Sequence, residues 1–487
     1  MTPFLLSLAL LGAAPPPGKD PTAGPAAALD AWLIGQAAHR SSLIPNLLHL
    51  SDEIGPRLTG SPALKRACEW AAERMRGYGL HDVRLEAWSM PEGWKRGHAR
   101  ARLVEPDNGV PLLLASYGWR PGTKGKVVGD VVALASPSMK ELEKHKGMLK
   151  GAIVLAGPPN LVRQPGEAGD APFPPARGPR TDRREFMAFM QQREAFLLKE
   201  GAVALFLDGG KPFNLVPTTG SWPRGGDRPS ADNRLPVLFC AHDHYALLTR
   251  LARKRRTRVE LDVANEFIPG PLKAYNVVGE IRGKDKADEA VVLGAHIDSW
   301  DLATGTTDNG TGTCVVLEAA RLLAKTPPRR TIRFCLFSGE EQGLHGSKAY
   351  AEKHKGEMAK TSLALMHDIG TGRVLGLGCG GRPAVAAILE KELEALRPLG
   401  LRDFKARSGG GSDHQSFERA GVPGFLLVQD GAGYSVSHHT AADTPERLRE
   451  RDLVQGATVM AVTALRVANL EAMLPRGDPA PKGRTGR

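Results

Sequence analysis

No two cysteines of this chain are spaced C-x-x-C, and the five present (Cys68, Cys240, Cys314, Cys335, Cys379) are odd in number and widely scattered. That pattern excludes a disulfide framework and a thiolate-bound zinc, and leaves the thiols as small apolar core residues. No apolar run approaches the roughly 18 residues of a membrane-crossing helix. The formal charge is +12, but the basic residues are dispersed. Only residues 250–258 (RLARKRRTR) are dense in charge, and no aromatics interleave them. This argues for a solvated helix end and loop, with no nucleic acid as partner. What is present is ordinary for a soluble globular protein: 41% apolar and 24% charged residues. At 487 residues the chain is long enough for two or three domains.

The N-terminus has an apolar core from Phe4 to Leu11, then small residues and prolines. It resembles a secretory signal over residues 1–14, although its n-region lacks Lys and Arg. Export to a periplasm or the outside follows as an expectation. Residues 15–25 are rich in Pro, Gly and Ala and predict a linker. Residues 26–105 open with helical patterns and include a strand at 81–88. Residues 106–268 change texture, with short apolar runs (KVVGDVVAL, GAIVLAG, GAVALFLDG, LPVLFCA) between long Gly/Pro loops, one of them a surface excursion at 163–180. They predict an inserted β-rich domain. Residues 269–474 alternate strand and helix patterns, and 475–487 have the composition of a disordered tail. The alternation predicts an α/β fold: a mostly parallel sheet with helices on both faces.

Within that last block, residues 291–346 read as strand, loop, helix, strand, loop, a βαβ unit whose ligands should gather at the carboxyl ends of its strands. His296 and Asp298 follow the first strand, Asp308 stands at the mouth of the helix, and Glu340 and Glu341 follow the second strand. Asp368 comes after the apolar run LALMH, and His438 and His439 lie in the loop after FLLV. Imidazoles and carboxylates meeting at one sheet edge suit a divalent metal, zinc first. Five ligand types thus fall on successive strand-end loops, and two ions about 3.5–4 Å apart, bridged by one carboxylate, would use all five. Neighbouring side chains of an extended segment point to opposite sides. One of Glu340 and Glu341 can therefore bind metal while the other faces a water as general base. Asp298 can accept the second N–H of His296 and fix its tautomer. The remaining histidines carry less. His39 and His49 suit packing, and His242 and His244 lack a carboxylate pattern for a metal. His345 and His367 have no assigned role.

Six segments in order, HIDSWD (296–301), TDNGTG (307–312), SGEEQGL (338–344), HDIGTG (367–372), GGGSDHQSF (409–417) and SHHTAADT (437–444), resemble the motif series of the co-catalytic zinc exopeptidases. IGPRLTGSPALKRACEW (54–70) and DIGTG are similar to the carboxypeptidase Q branch in particular, and the insert resembles its protease-associated domain. The resemblance implies two Zn2+ ions, one on His296 and Asp368, the other on Glu341 and His439, with Asp308 bridging. It implies Glu340 as the general base and Asp298 as the residue that orients His296. It also implies a short peptide with a free N-terminus as substrate and a homodimer. The family often has Asp-Asp-Gly where this chain has Asp308-Asn309-Gly310. His438 stands where relatives often have Tyr, so it is expected to stabilise the tetrahedral oxyanion. The loop with Ser412, Asp413 and His414 is implied to shape the pocket. The reading that follows is a dipeptidase. A broader aminopeptidase, a one-metal glutaminyl-cyclase-like acyltransferase and a non-catalytic binding ectodomain are the alternatives.

Overall fold

The computed structural model describes residues 25–162, 183–222, 234–379, 381–409, 411–431 and 433–477. The expected signal segment 1–14, nearly all of the linker, the excursion at 163–180 and most of the tail lie outside these residues.

Seven strands form the sheet that carries the site: β1 (His81–Lys95), β2 (Glu266–Ile281), β3 (Lys286–His296), β4 (Arg330–Phe337), β5 (Thr361–Met366), β6 (Val374–Leu377) and β7 (Gly424–Gln429). Their spatial order is β1-β2-β4-β3-β5-β7-β6. The expected mostly parallel sheet is mixed. Its centre, β4-β3-β5-β7, is parallel. Pairings β1–β2, β2–β4 and β7–β6 are antiparallel. Crossover helices impose parallel pairing only in the centre: α1 (Thr311–Leu323) links β3 to β4.

Alternate strand residues divide between two cores, as the strand period of two requires. Val291, Leu293, Phe334 and Leu336 face α1, the long helix α2 (Glu450–Asn469) and the N-terminal helices. Val292, Cys335, Phe337 and Met366 face the other way, with Tyr350 and Phe417 from helices His345–Lys353 and His414–Arg419. Helices thus cover both faces. All five cysteines are free and buried. Among the described residues no helix is long and apolar enough to cross a membrane.

A second sheet of eight strands lies between β1 and β2 in sequence. The four apolar runs noted above form its strands Val127–Ala133, Ile153–Leu155, Ala204–Asp208 and Val237–Cys240. Its first strand, Ala99–Glu105, pairs with Arg258–Val263, so this sheet begins before the expected boundary at residue 106. It also carries helices Arg183–Lys199 and His242–Ala252. A cluster of tryptophans (Trp88, Trp94, Trp119, Trp222, Trp300) fills the junction between the two sheets.

Candidate metal centre

The buried imidazole of His296 ends β3. Its Nδ1 lies 3.0 Å from the main-chain oxygen of Asp298 and 3.6 Å from that residue's Oδ1. Its Nε2 lies 3.0 Å from Asp368 Oδ1 and 3.3 Å from Asp308 Oδ1. With Nδ1–H donated to a carbonyl, Nε2 keeps its lone pair for a metal. The expectation for Asp298 is corrected in one respect: the main chain makes the closer contact to His296. Its buried carboxylate accepts from Thr59 Oγ1 (2.9 Å) and from the amides of Glu340 and Glu341 (3.3 and 3.4 Å). It therefore ties the β3 loop to the turn that carries both glutamates.

Asp308 sits in the short turn Thr306–Gly310 ahead of α1. Asp443 holds that turn, accepting from the amide and hydroxyl of Thr307 and, at 3.2 Å, from the amide of Asp308. The two oxygens of Asp308 diverge. Oδ1 faces His296, and Oδ2 lies 3.2 Å from His439 Nε2. His439 Nε2 is also 2.9 Å from Glu341 Oε2. His438 stacks on His439 with ring centroids 3.8 Å apart, and its Nε2 is 3.8 Å from Asp308 Oδ2. All eight predicted site residues therefore meet at one sheet edge. His296, Asp308, Asp368, Glu340, Glu341, His438 and His439 line one cleft of about 550 Å³, with Asp298 behind them.

Burial and mutual repulsion dominate the electrostatics. Burial pushes Glu341 up to about 7, with Asp308 adding and His439 opposing. Glu340 rises well above the usual carboxylate range through burial and the charges of Asp368, Asp413 and Glu341. Burial depresses His439, but Glu341 and Asp308 outweigh it and hold the ring at about 10. Burial and neighbouring His439 press His438 down to about 3. Asp308 Oδ2 and Glu341 Oε1 are buried without a well-formed hydrogen bond. Such atoms are costly unless a cation meets them. Among the described residues, two groups have ligand atoms close enough to hold one ion: His296, Asp308, Asp368, and Asp308, His438, His439. The donor set of carboxylate and imidazole fits zinc.

Several residues that support the site had no role assigned from sequence. Buried Arg57 donates to the carbonyls of Gly55, Ile297, Thr304 and Gly305 and so braces the loop between His296 and Asp308. Thr59, Asp443 and Tyr434 also belong here, the last lining the cleft edge-on to His438. Arg57, Thr59 and Asp443 lie inside quoted motif segments, which was their one signal. Ser412 lines the cleft, and Asp413 and His414 are buried beside it. His345 packs tilted against Trp222 with ring centroids 4.5 Å apart, and burial presses His367 down to about 3. His242 has a carboxylate partner after all, Asp208 at 3.0 Å, supplied by the neighbouring strand Ala204–Asp208. His244 accepts from the amide of Leu113.

Fold and site together define a zinc metallopeptidase. Residues 276–464 match the model of peptidase family M28. The chain is 29% identical to carboxypeptidase Q of Bos taurus, over 91% of this chain and 88% of that one. It is 24% identical to aminopeptidase YwaD of Bacillus subtilis, over 90% and 86%. A peptidase M28 precursor from Shewanella amazonensis superposes with a TM-score of 0.74 at 26% identity, covering 94% of this chain and 99% of that one. The zinc aminopeptidase BSAP of Bacillus subtilis shares the fold, with a TM-score of 0.64 at 21% identity and coverage of 90% and 96%. Over residues 276–464 the chain is similar to the M28 family, that of the co-catalytic zinc exopeptidases.

Proposed function

We propose that this metallopeptidase is a dinuclear exopeptidase acting on short peptides with a free N-terminus, dipeptides first. The divergence of the two Asp308 oxygens carries the two-ion reading. Each oxygen faces one histidine, and each histidine has a carboxylate of its own, Asp368 or Glu341. His296 and Asp368 would hold one ion, Glu341 and His439 the other, with Asp308 between them. When bound, the ions supply electrostatic stabilisation at the scissile carbonyl and lower the pKa of an attacking water. Glu340 takes that water's proton and passes it to the leaving nitrogen. Asp298 holds His296 and the glutamate turn in register. His438 donates to the tetrahedral oxyanion.

The relatives named carboxypeptidase Q support the short-peptide reading. Those named aminopeptidase support a broader activity on longer peptides as the second reading. The apolar stretch from Phe4 to Leu11 supports export. The second sheet is read as a protease-associated domain. Metal analysis with a panel of dipeptides and pentapeptides tests the whole. Two zinc ions per chain and a preference for dipeptides are expected. One ion per chain would defeat the dinuclear reading, and equal turnover of pentapeptides would favour the aminopeptidase.

A further inference from the structure

The two halves of the centre are not held in the same way. His296 and Asp368 stand at strand ends, and the ladder runs up to them: Ile297 N donates to Phe337 O at 2.8 Å and His367 N to Gly294 O at 3.1 Å. Glu341 and His439 lie beyond the strands, on loops. His439 has φ +60°, a left-handed conformation that a non-glycine residue keeps only where the surroundings over-determine it.

Those surroundings come from the second sheet. The segment 211–222 crosses both loops. Thr218 N donates to His439 O at 2.8 Å, and Pro217 pairs with Thr440 as an antiparallel bridge. Lys211 Nζ donates to Ser435 O at 2.6 Å and to His438 O at 3.3 Å. At the far end Ser221 Oγ donates to Gln342 O at 3.2 Å, one residue past Glu341, and Trp222 packs on His345. The strap is itself anchored. Arg96 donates to Thr218 Oγ1 and to Asp301 Oδ1, both at 2.9 Å, and Gly118 N donates to Thr219 O at 2.8 Å.

We propose that segment 211–222 is the positioning element of one metal position, the one between Glu341 and His439, while the sheet alone frames the position at His296 and Asp368. The inserted domain is thereby a structural part of the metal centre, and its strap sets how tightly one ion is held. Lys211 and Thr218 act through the main chain of the His438–His439 loop and touch neither substrate nor metal. This inference rests on the two-ion reading above.

The test is zinc titration of the metal-free full chain against a chromophoric chelator, on wild type, Lys211→Met and Thr218→Pro. Lys211→Arg and Thr218→Ser, which keep a cation and both the amide donor and the hydroxyl that Arg96 meets, serve as conservative partners. His439→Ala identifies which binding event belongs to the strapped position. Lys211→Met and Thr218→Pro are each expected to weaken that event by about tenfold or more and to leave the other unchanged, the usual scale for loss of an outer support of a metal ligand. The conservative pair should stay near wild type. Unchanged binding in both disruptive variants, or equal weakening of both events, overturns the proposal. A wild type that takes up a single ion overturns the two-ion reading itself, and shows this before any strap variant is made.

Discussion

Asp298 reaches His296 through its main-chain carbonyl, 3.0 Å from Nδ1, and keeps its carboxylate for Thr59 and the amides of Glu340 and Glu341. One residue therefore meets the His296 imidazole with its backbone and the Glu340–Glu341 turn with its side chain. Asp298→Asn preserves the first contact and weakens the second. It should retain zinc at His296 and lower kcat by about 10–100-fold. Chelator competition beside steady-state kinetics measures both; loss of zinc together with activity would return the carboxylate to the role of imidazole partner.

Glu340→Ala removes the proposed base and no proposed ligand. Zinc content should stay at the wild-type level while kcat falls by about 10²–10⁴-fold. Metal analysis and single-turnover peptide cleavage check this, and unchanged activity refutes the assignment.

His438 and His439 are stacked neighbours, yet only His439 Nε2 comes within 3.2 Å of both Asp308 and Glu341. His438→Ala should leave zinc intact and lower kcat by about 10²–10³-fold. His439→Ala should lose an ion. Loss of an ion in the His438 variant would exchange the two roles.

Arg57 is buried, with four carbonyl partners. Replacing it by Met leaves those acceptors unmet, for a loss of about 3–5 kcal/mol of stability, since hydrogen bonds to charged groups are worth about 1.5–3 kcal/mol each and do not add fully. Denaturant unfolding of wild type and variant measures it. A change below about 1 kcal/mol would mean that the loop repacks.

Away from the metal centre, His354 Nε2 meets both oxygens of buried Glu86 at 3.1 Å. Burial alone would raise Glu86, but His354, Arg84 and Lys353 outweigh it and hold the carboxyl at about 2. Burial likewise opposes the charge on His354, and Glu86 and Glu357 raise it above its ordinary 6.5. The depressed carboxyl contributes stability that is complete above its ordinary 4.5 and fades as pH falls toward about 2. The raised imidazole contributes stability that is complete below 6.5 and fades as pH rises through its folded value. The Tm difference between wild type and His354→Gln should therefore be largest between pH 4.5 and 6.5 and narrow on either side.

The cleft residues were legible because apolar strands announce where they end, and His296, Asp368 and Glu341 follow such ends closely. Asp308 was legible because a polar turn opens a helix of helical period. The Asp298 carbonyl was not, since a backbone contact depends on loop dihedrals that residue types do not reveal. Nor was Arg57, whose partners are four carbonyls and no side chain. The strap was hidden for a related reason. Lys211, Pro217 and Thr218 lie in a Gly/Pro-rich loop without ligand types, and they act through main-chain atoms of a distant loop. The mixed pairing was missed because β1 and β2 are neighbours only across the whole insert.

That pairing has a further meaning. Its last rung joins Lys95 to Glu266, so the chain leaves the catalytic sheet and returns to it at opposite positions of a single ladder. In topological terms the second sheet is the loop of one β-hairpin, grown to the size of a domain. The entropy of closing a loop rises only with the logarithm of its length, by about 0.6 kcal/mol per doubling. The catalytic sheet therefore carries a wall for its own metal centre at little more conformational expense than a long turn.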